Sequence, residues 1–423
     1  IMNISSFESE FNKIMRRDYF TSHVKPIREQ AFNNFLEKGL PNKNWEDWRH
    51  TDLKPIKEID FCLSEISDAP AHELDITEFG LDDVHTIVIY NGHYQENISS
   101  VPSGVRLISL ADYGDQNAWK IREPNDSPFD LLNTAFMDSG FCLTIDKGIQ
   151  IESPVRILYI SSTEKNIMVS PRVYIDLGES SSITFIEQYE GNCNEYFLNG
   201  SLIVELKENS RMSHFRIQNN SVDTVNIGNI HVQQDSASHY TFNQFACGSR
   251  LGRLNLLADL NGKGAECFIN GLTLTNNIQH IDNHIVTSHN APFCTSSQYF
   301  RSVLQDRSSG VFNGRTIVSE GAEKTDSKQS NKNLLLSKGA LMNSNPQLEI
   351  YADDVKCSHG STTGALDQDA LFYIRSRGLD IVSAKSLLIR AFVSEMIEPI
   401  HHENIKSYII SKFDAWLNEN TVQ

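Results

Sequence analysis

The sequence predicts a mostly β protein whose core is a solenoid of short strands, preceded by a mixed α/β region and followed by helices. Three patterns predict it. From about Ile145 to Val355, short alternating or apolar runs follow one another with small polar turns between them. Those turns, near Gly178, Asn209, Asp235, Gly262 and Asn290, recur at intervals of roughly 26 to 31 residues, the range of stacked structural units. On either side of this stretch the apolar period becomes helical. A unit of this size cannot bury its own apolar face, so neighbouring units stack and share a core. A β-sandwich would also use short strands, but seldom spends about 200 residues on them without long helices.

In chain order, Phe11, Ile14, Met15, Phe20, Phe32, Phe35 and Leu36 recur at helical spacing between Phe7 and Lys38, and Gly39 and Pro41 stop that run. Thr86-Ile-Val-Ile-Tyr90 before Asn91-Gly92 predicts a strand and turn. Ser127 ahead of Pro128 predicts a capped short helix to Phe136. Within the solenoid, Val173 to Leu177, Ile183 to Ile186, Leu202 to Leu206, Met212 to Ile217, Asn229 to Val232 and Tyr240 to Phe242 are the clearest strands. After Gly364, Asp367 caps a helix through Tyr373 that stops near Gly378, and Asp380 caps another that runs to Pro399. Ile405, Ile409, Phe413, Trp416 and Leu417 form a last apolar stripe. Three regions result: residues 1–145 helical and mixed α/β, 146–360 the solenoid, and 361–423 helical. Three helices after a solenoid have little core of their own, so part of their surface is expected to serve a partner.

Composition narrows the function. The 423 residues are 39% hydrophobic and 22% charged, ordinary for a globular chain long enough to bury a substantial core. With 37 Lys and Arg against 54 Asp and Glu, the net charge of −17 repels phosphate backbones, so no nucleic-acid partner is expected. No apolar run approaches the roughly 20 residues needed to span a bilayer. The opening Ile1-Met-Asn-Ile-Ser-Ser-Phe-Glu has no basic region followed by an apolar segment, which argues against a secretory signal and for a cytoplasmic protein. Cysteines 62, 142, 193, 247, 267, 294 and 357 are odd in number and form no Cys-x-x-Cys pair, as expected of reduced thiols. The chain has no Gly-x4-Gly-Lys-Ser/Thr loop, no Gly-x-Ser-x-Gly elbow and no His-Glu-x-x-His pair, so an autonomous enzyme is not expected.

The most informative segment is Asn345 to Gly360, which ends the strand-like stretch with Cys357 and His359 two residues apart. In an extended chain, residues i and i+2 face the same side, so thiol and imidazole could hold a metal or cluster together. The plainer alternative packs Cys357 as a small hydrophobe and leaves His359 at a polar turn, because Cys-x-His without a second ligand pair is a weak metal signature. His280, His284 and His289 with Asp282 have residue types that suit a transition metal, but equally suit polar ladders in a solenoid. Cys247, Cys267 and Cys294, about one per unit, fit buried core thiols. Arg375, Arg377 and Arg390 are expected to satisfy helix ends and carboxylates.

Asp353-Asp-Val-Lys-Cys-Ser-His-Gly-Ser-Thr-Thr-Gly364, followed by Leu371-Phe-Tyr-Ile-Arg-Ser-Arg-Gly378, closely resembles the signature of the SufB/SufD family of iron–sulfur cluster assembly proteins. The Lys-Cys-Ser-His-Gly form resembles the SufD branch, since SufB members carry His-Glu-Ala-Thr where this chain has His359-Gly-Ser-Thr. Asn283-His284, His289, Phe300 and Gly310-Val-Phe-Asn-Gly-Arg-Thr-Ile-Val318 follow the family's core pattern. Gly39-Leu-Pro41 and Trp45-Glu-Asp-Trp48 resemble its N-terminal segment, so the likeness covers nearly the whole chain.

The resemblance implies a right-handed parallel β-helix. It implies a non-catalytic scaffold subunit that pairs with a SufB-like paralogue through the C-terminal coils and with the SufC ATPase through the C-terminal helices. ATP-driven movement would then expose ligands for iron and sulfide at the SufB–SufD interface. His359 matches the family histidine at that interface and Cys357 the cysteine beside it. The iron–sulfur cluster would be transient and held by the complex, with no cofactor bound tightly by this chain alone; the isolated chain has the option of pairing with itself. Family complexes are also associated with a reduced flavin, although the chain carries no flavin motif. Two alternatives stand beside this reading: a β-helix polysaccharide lyase or hydrolase, and a purely structural partner in which Cys357 and His359 bind nothing.

Overall fold

The computed structural model describes residues 4–17, 24–65, 74–116, 126–137, 139–161, 166–191 and 196–421. Strand makes up 43% of it and helix 25%, arranged as a parallel β-solenoid of about seven turns with an N-terminal α/β region and C-terminal helices.

The solenoid has two walls. One wall is built from Gly140–Ile145, Arg172–Leu177, Phe197–Leu206, Val225–Gln234, Leu251–Leu260, His280–His289, Ser309–Val318 and Leu341–Ile350. The other is built from Val155–Ser161, Ser182–Gly191, Arg211–Gln218, His239–Ala246, Glu266–Thr275, Thr295–Leu304, Asp326–Leu335 and Lys356–Gly364. Each neighbouring pair within a wall is parallel and in register. Phe197 stands opposite Val225, which stands opposite Leu251, then His280, Ser309 and Leu341. Successive coils are thus offset by 28, 26, 29, 29 and 32 residues, as the turn spacing predicts.

The corner that fixes this period is a stacked column of left-handed residues. Ser180, Asn209, Ala237, Gly264, Phe293, Lys324 and Asp354 have φ of 57°, 59°, 53°, 73°, 63°, 60° and 53°. The first six each donate a backbone N–H to a carbonyl one coil further on, at 2.9–3.1 Å. Only Gly264 avoids the steric cost of a Cβ there, so the stacked hydrogen bonds hold the other corners in a conformation their residues disfavour.

The N-terminal apolar run forms two helices rather than one: α1 (Ile4–Ile14) and α2 (Lys25–Lys38). Their phenylalanines pack from two directions, Phe11 stacking on Phe32 at 4.0 Å, and Gly39 caps α2 at φ 70°. Phe20 lies outside the described residues. A one-turn helix, α3 (Lys54–Lys57), and α4 (Leu110–Gln116) follow. In α5 (Pro128–Phe136) the Ser127 side chain accepts from the Asp130 N–H, the predicted cap. The predicted strand is His85–Tyr90, turning through Asn91 and Gly92 at φ 47° and 87°. Together α1, α2, α5 and Trp48 cover the outer face of the first wall at Phe197, Val225, Ile227 and Leu251.

At the other end, Asp367 caps α6 (Gln368–Ser376) and Asp380 caps α7 (Ile381–Ile397), each carboxylate accepting two backbone N–H groups; α8 (Glu403–Thr421) follows. These helices have little core of their own and bury their apolar stripes against the solenoid instead. Ile389, Val393 and Ile397 of α7 and Ile405, Ile409, Phe413, Trp416 and Leu417 of α8 bury against Ile186, Phe215, Phe245, Leu272 and Leu274 on the outer face of the second wall. The helices therefore borrow the solenoid's apolar surface, while α6 buries only Leu371.

Candidate functional site

Strands Leu341–Ile350 and Lys356–Gly364 are the last of their walls, and among the described residues no further coil stacks on them. Cys357 pairs with Ser327 and His359 with Gln329, both buried residues that point into the solenoid. The two-residue period thus puts thiol and imidazole side by side on the inward face of an open end. Cys357 is half-buried and His359 exposed. Burial pushes the Cys357 thiol up, the Ser327 backbone offsets part of this, and Asp326 adds to it. The thiol is therefore protonated at neutral pH and needs a metal or a positive neighbour to become a ligand or nucleophile. Leu341, Ile350 and Tyr351 are exposed at the same end, Tyr351 by 65%.

The histidine cluster separates. His280 and His284 point outward from the first wall, roughly 13 Å apart along the strand, whereas His289 points inward. His280 shares hydrogen bonds with Thr51 Oγ1 at 3.0 Å and Ser309 Oγ at 2.7 Å. Burial and the nearby Arg253 push His284 down to about 4, although Asp47 lies 3.8 Å away. His289 shares a hydrogen bond with Ser296 Oγ at 2.8 Å, and burial pushes it down to about 4. Asp282 is taken by Arg253 and by the Thr51 hydroxyl. These are the polar ladders of a solenoid. Among the described residues, no group of three or more His, Cys, Asp or Glu could hold a metal ion.

The cysteines also divide. Cys267 and Cys294 are buried in the interior, while Cys247 lies outside under α8 and donates to Asn219 Oδ1 at 3.3 Å. Burial pushes Cys247 up to about 12, which suits packing rather than reactivity. Cys193 lies outside the described residues. Arg390 pairs with Asp414 at 2.5 Å, as expected of a carboxylate partner. Arg377 instead donates to the Tyr373 hydroxyl at 2.9 Å and lies over its ring, because that side chain is one helical turn away.

Two groupings escaped the sequence analysis. Glu187, His214 and Tyr240 form a buried chain inside the first coils, with His214 Nε2 3.1 Å from Glu187 and Nδ1 2.8 Å from the Tyr240 hydroxyl. Burial would raise the Glu187 carboxyl, but His214, Arg216 and Tyr189 together hold it below the usual carboxylate range. The signal was present: His214 and Arg216 alternate with Met212 on the inward face of a strand. The other is the link from the Trp45-Glu-Asp-Trp48 segment, which the sequence marks only by resemblance, to Arg253: Trp48 stacks on the Arg253 guanidinium at 3.7 Å and the Asp47 carbonyl accepts from it at 2.9 Å. No local pattern links residues some 200 positions apart.

A cleft of about 490 Å3 lies between the second wall and the end of α7, lined by Asn270, Tyr299, Arg301, Lys332, Glu395 and Met396 among others. Its single carboxylate, Glu395, is ion-paired with Arg301. Sugar hydrolysis ordinarily uses two carboxylates flanking the bond, which this cleft does not offer. No helix of the described residues is long and apolar enough to cross a membrane.

Comparison with known proteins places the chain in a family. Residues 159–392 match the family model described as the SUF system FeS cluster assembly SufBD core domain, and residues 4–157 match the SufBD protein N-terminal region. The chain is 32% identical over 384 residues to an iron–sulfur cluster assembly SufBD family protein of Synechocystis, covering 85% of this chain and 84% of that protein. It is 28% identical over 393 residues to the iron–sulfur cluster assembly protein SufD of Escherichia coli, covering 92% of each. It is 28% identical over 400 residues to the chloroplastic protein ABCI7 of Arabidopsis thaliana, covering 90% of this chain and 84% of that one. With both family models accounting for nearly its full length, the chain belongs to the SufB/SufD family of iron–sulfur cluster assembly proteins.

Proposed function

We propose that this chain is a SufD-like, non-catalytic scaffold subunit that joins a SufB-like paralogue at its open solenoid end and a SufC-like ATPase at its C-terminal helices. The observation that carries the reading is the terminal coil, which places Cys357 and His359 on its inward face and leaves its backbone edge uncovered. A second chain stacking there would bury both side chains and supply the further ligands that the described residues of this chain lack nearby. Thiolate and imidazole are competent iron ligands, and a buried interface protects a nascent cluster from oxidation. The same edge would let the isolated chain pair with itself when the paralogue is missing.

The ATPase surface is assigned to α6 and the start of α7, where Phe372 is 75% exposed and Tyr373, Ile381, Val382 and Leu387 also face out. Solvent-facing apolar groups in this number fit a partner, and nucleotide-driven motion transmitted there would open the end-to-end interface. The cytoplasm is the expected compartment, and the flavin of such complexes is given no residue in this chain.

Anaerobic reconstitution with the two partners tests the reading, with bound iron and acid-labile sulfide compared among wild type, Cys357→Ala and His359→Ala. His359→Ala is expected to assemble the complex and lose cluster. Normal cluster in both variants would remove the ligand assignment and leave a purely structural subunit. Loss of ATPase capture on truncation after Gly364 would support the helical docking surface, and retained capture would refute it.

A further inference from the structure

The residue beneath His359 carries an unused acceptor. Gln329 is 4% exposed, in register with His359 one coil below it, and on the same inward face. Its Nε2 donates to Thr316 Oγ1 at 2.9 Å and to the Gln347 carbonyl at 3.3 Å. A carbonyl oxygen only accepts, so these bonds fix which end of the amide is nitrogen. Its Oε1 is buried without a hydrogen-bond partner. Gln298, one coil further down, is held in the same way by Thr287 and the Arg315 carbonyl, and its Oε1 is likewise unpartnered. A buried acceptor left unmade is costly, so a recurrent one needs an explanation.

For Gln329 the explanation lies above it. Neighbouring strands stand about 4.8 Å apart, and inward side chains of one column stack directly. No hydrogen bond joins His359 to Gln329 in the present conformation, but His359 is exposed, and a turn of its side chain would bring the ring to Gln329. We infer that Gln329 is a positioning residue for His359: its buried Oε1 accepts one imidazole N–H and leaves the other ring nitrogen, with its lone pair, toward the open end. A metal-binding histidine almost always needs such a partner, because the second nitrogen's hydrogen bond fixes both tautomer and ring orientation. The inference rests on the reading of His359 as a ligand, and it names what holds that ligand in place.

The test uses the full chain labelled with nitrogen-15 at histidine, under anaerobic reducing conditions. Imidazole nitrogen shifts report the tautomer of His359, and Co2+, added to the labelled chain joined to the SufB-like partner that supplies the further ligands, serves as the metal probe, followed by its visible absorption. Wild type is expected to show one dominant His359 tautomer. Gln329→Leu should return it to the mixture of a free imidazole and weaken Co2+ binding about 10- to 100-fold. Gln329→Glu loses the same two amide donor bonds but keeps an acceptor, so it should restore both readouts; disruption of packing alone would affect the two variants equally. A Gln329→Leu chain with unchanged tautomer and affinity, or a Gln329→Glu chain that behaves like Gln329→Leu, would overturn the assignment. His359→Ala separates the two readings. If His359→Ala binds Co2+ as tightly as wild type while, in the chains that keep His359, the tautomer still follows residue 329, the ligand role fails and the positioning role stands.

Discussion

The coils at 251–275 and 309–335 are built alike, each from two ten-residue strands, one in each wall, yet their interiors differ. The first fills its centre with Leu254, Leu256, Ala258, Leu260, Cys267 and Ile269. The second presents Phe312, Thr316, Ser327, Gln329, Asn331 and Asn333. The backbone ladder therefore makes the coil, and the inward side chains decide what it can do. Apolar filling is non-directional and cements the middle of the stack. Polar filling needs each group matched by its neighbour, so it fixes geometry. The change runs toward the uncovered end, where a wholly apolar terminal coil would be an adhesive surface for any chain. A polar one, carried to the rim by Ser344, Ser361 and His359, accepts only a partner that satisfies it.

The largest expected effect lies in the apolar coil. Leu256 is fully buried in the apolar cluster, so Leu256→Ala should cost roughly 3 to 5 kcal/mol. Urea unfolding followed by circular dichroism measures it. A loss below that of Thr316→Val in the polar coil would erase the distinction between the two interiors.

His289 marks the boundary, since it continues the column of Leu260 into the polar end. Its folded value of about 4 lies below the ordinary histidine value of 6.5, so the unfolded chain binds the proton more readily. Stability is thus full above about pH 6.5 and falls as the pH drops toward 4. Between pH 7 and 5 this one group should remove about 2 kcal/mol. His289→Gln, which retains a hydrogen-bonding side chain facing Ser296, should lessen the acid loss by that amount. Identical pH dependence in both chains would mean that His289 is not buried in neutral form.

The two interiors also differ in how legible they were. The coil period was readable because polar turns interrupt apolar runs at near-constant spacing, and the helices after Gly364 because Asp367 and Asp380 cap them. The shared face of Cys357 and His359 followed from the two-residue period. The apolar interior could be read as alternation. The polar interior could not, because Thr287, Thr316 and Ser327 resemble surface residues until the register joins them across coils. The docking of α7 and α8 was hidden for the same reason, since their apolar stripes meet strands far upstream in the chain, from Ile186 to Leu334. Nor does spacing report that the Cys357 thiol is raised by burial, which depends on the coil below it.

The finest test of the comparison is therefore Thr316→Val, which keeps shape and removes one hydroxyl. Thr316 Oγ1 lies 3.2 Å from the Thr287 hydroxyl and 3.3 Å from that of Ser327, and accepts from Gln329 Nε2 at 2.9 Å. Valine leaves Gln329 with only the Gln347 carbonyl to hold its amide, so a loss of about 1 to 2 kcal/mol is expected, smaller than for Leu256→Ala. Hydrogen exchange should locate it. Faster exchange in Asp326–Leu335 and Lys356–Gly364, with Leu251–Leu260 unchanged, is expected if the polar network holds the open end as a unit. Uniform acceleration along the stack would show that polar and apolar coils unfold together and that their different fillings do not divide the solenoid's stability.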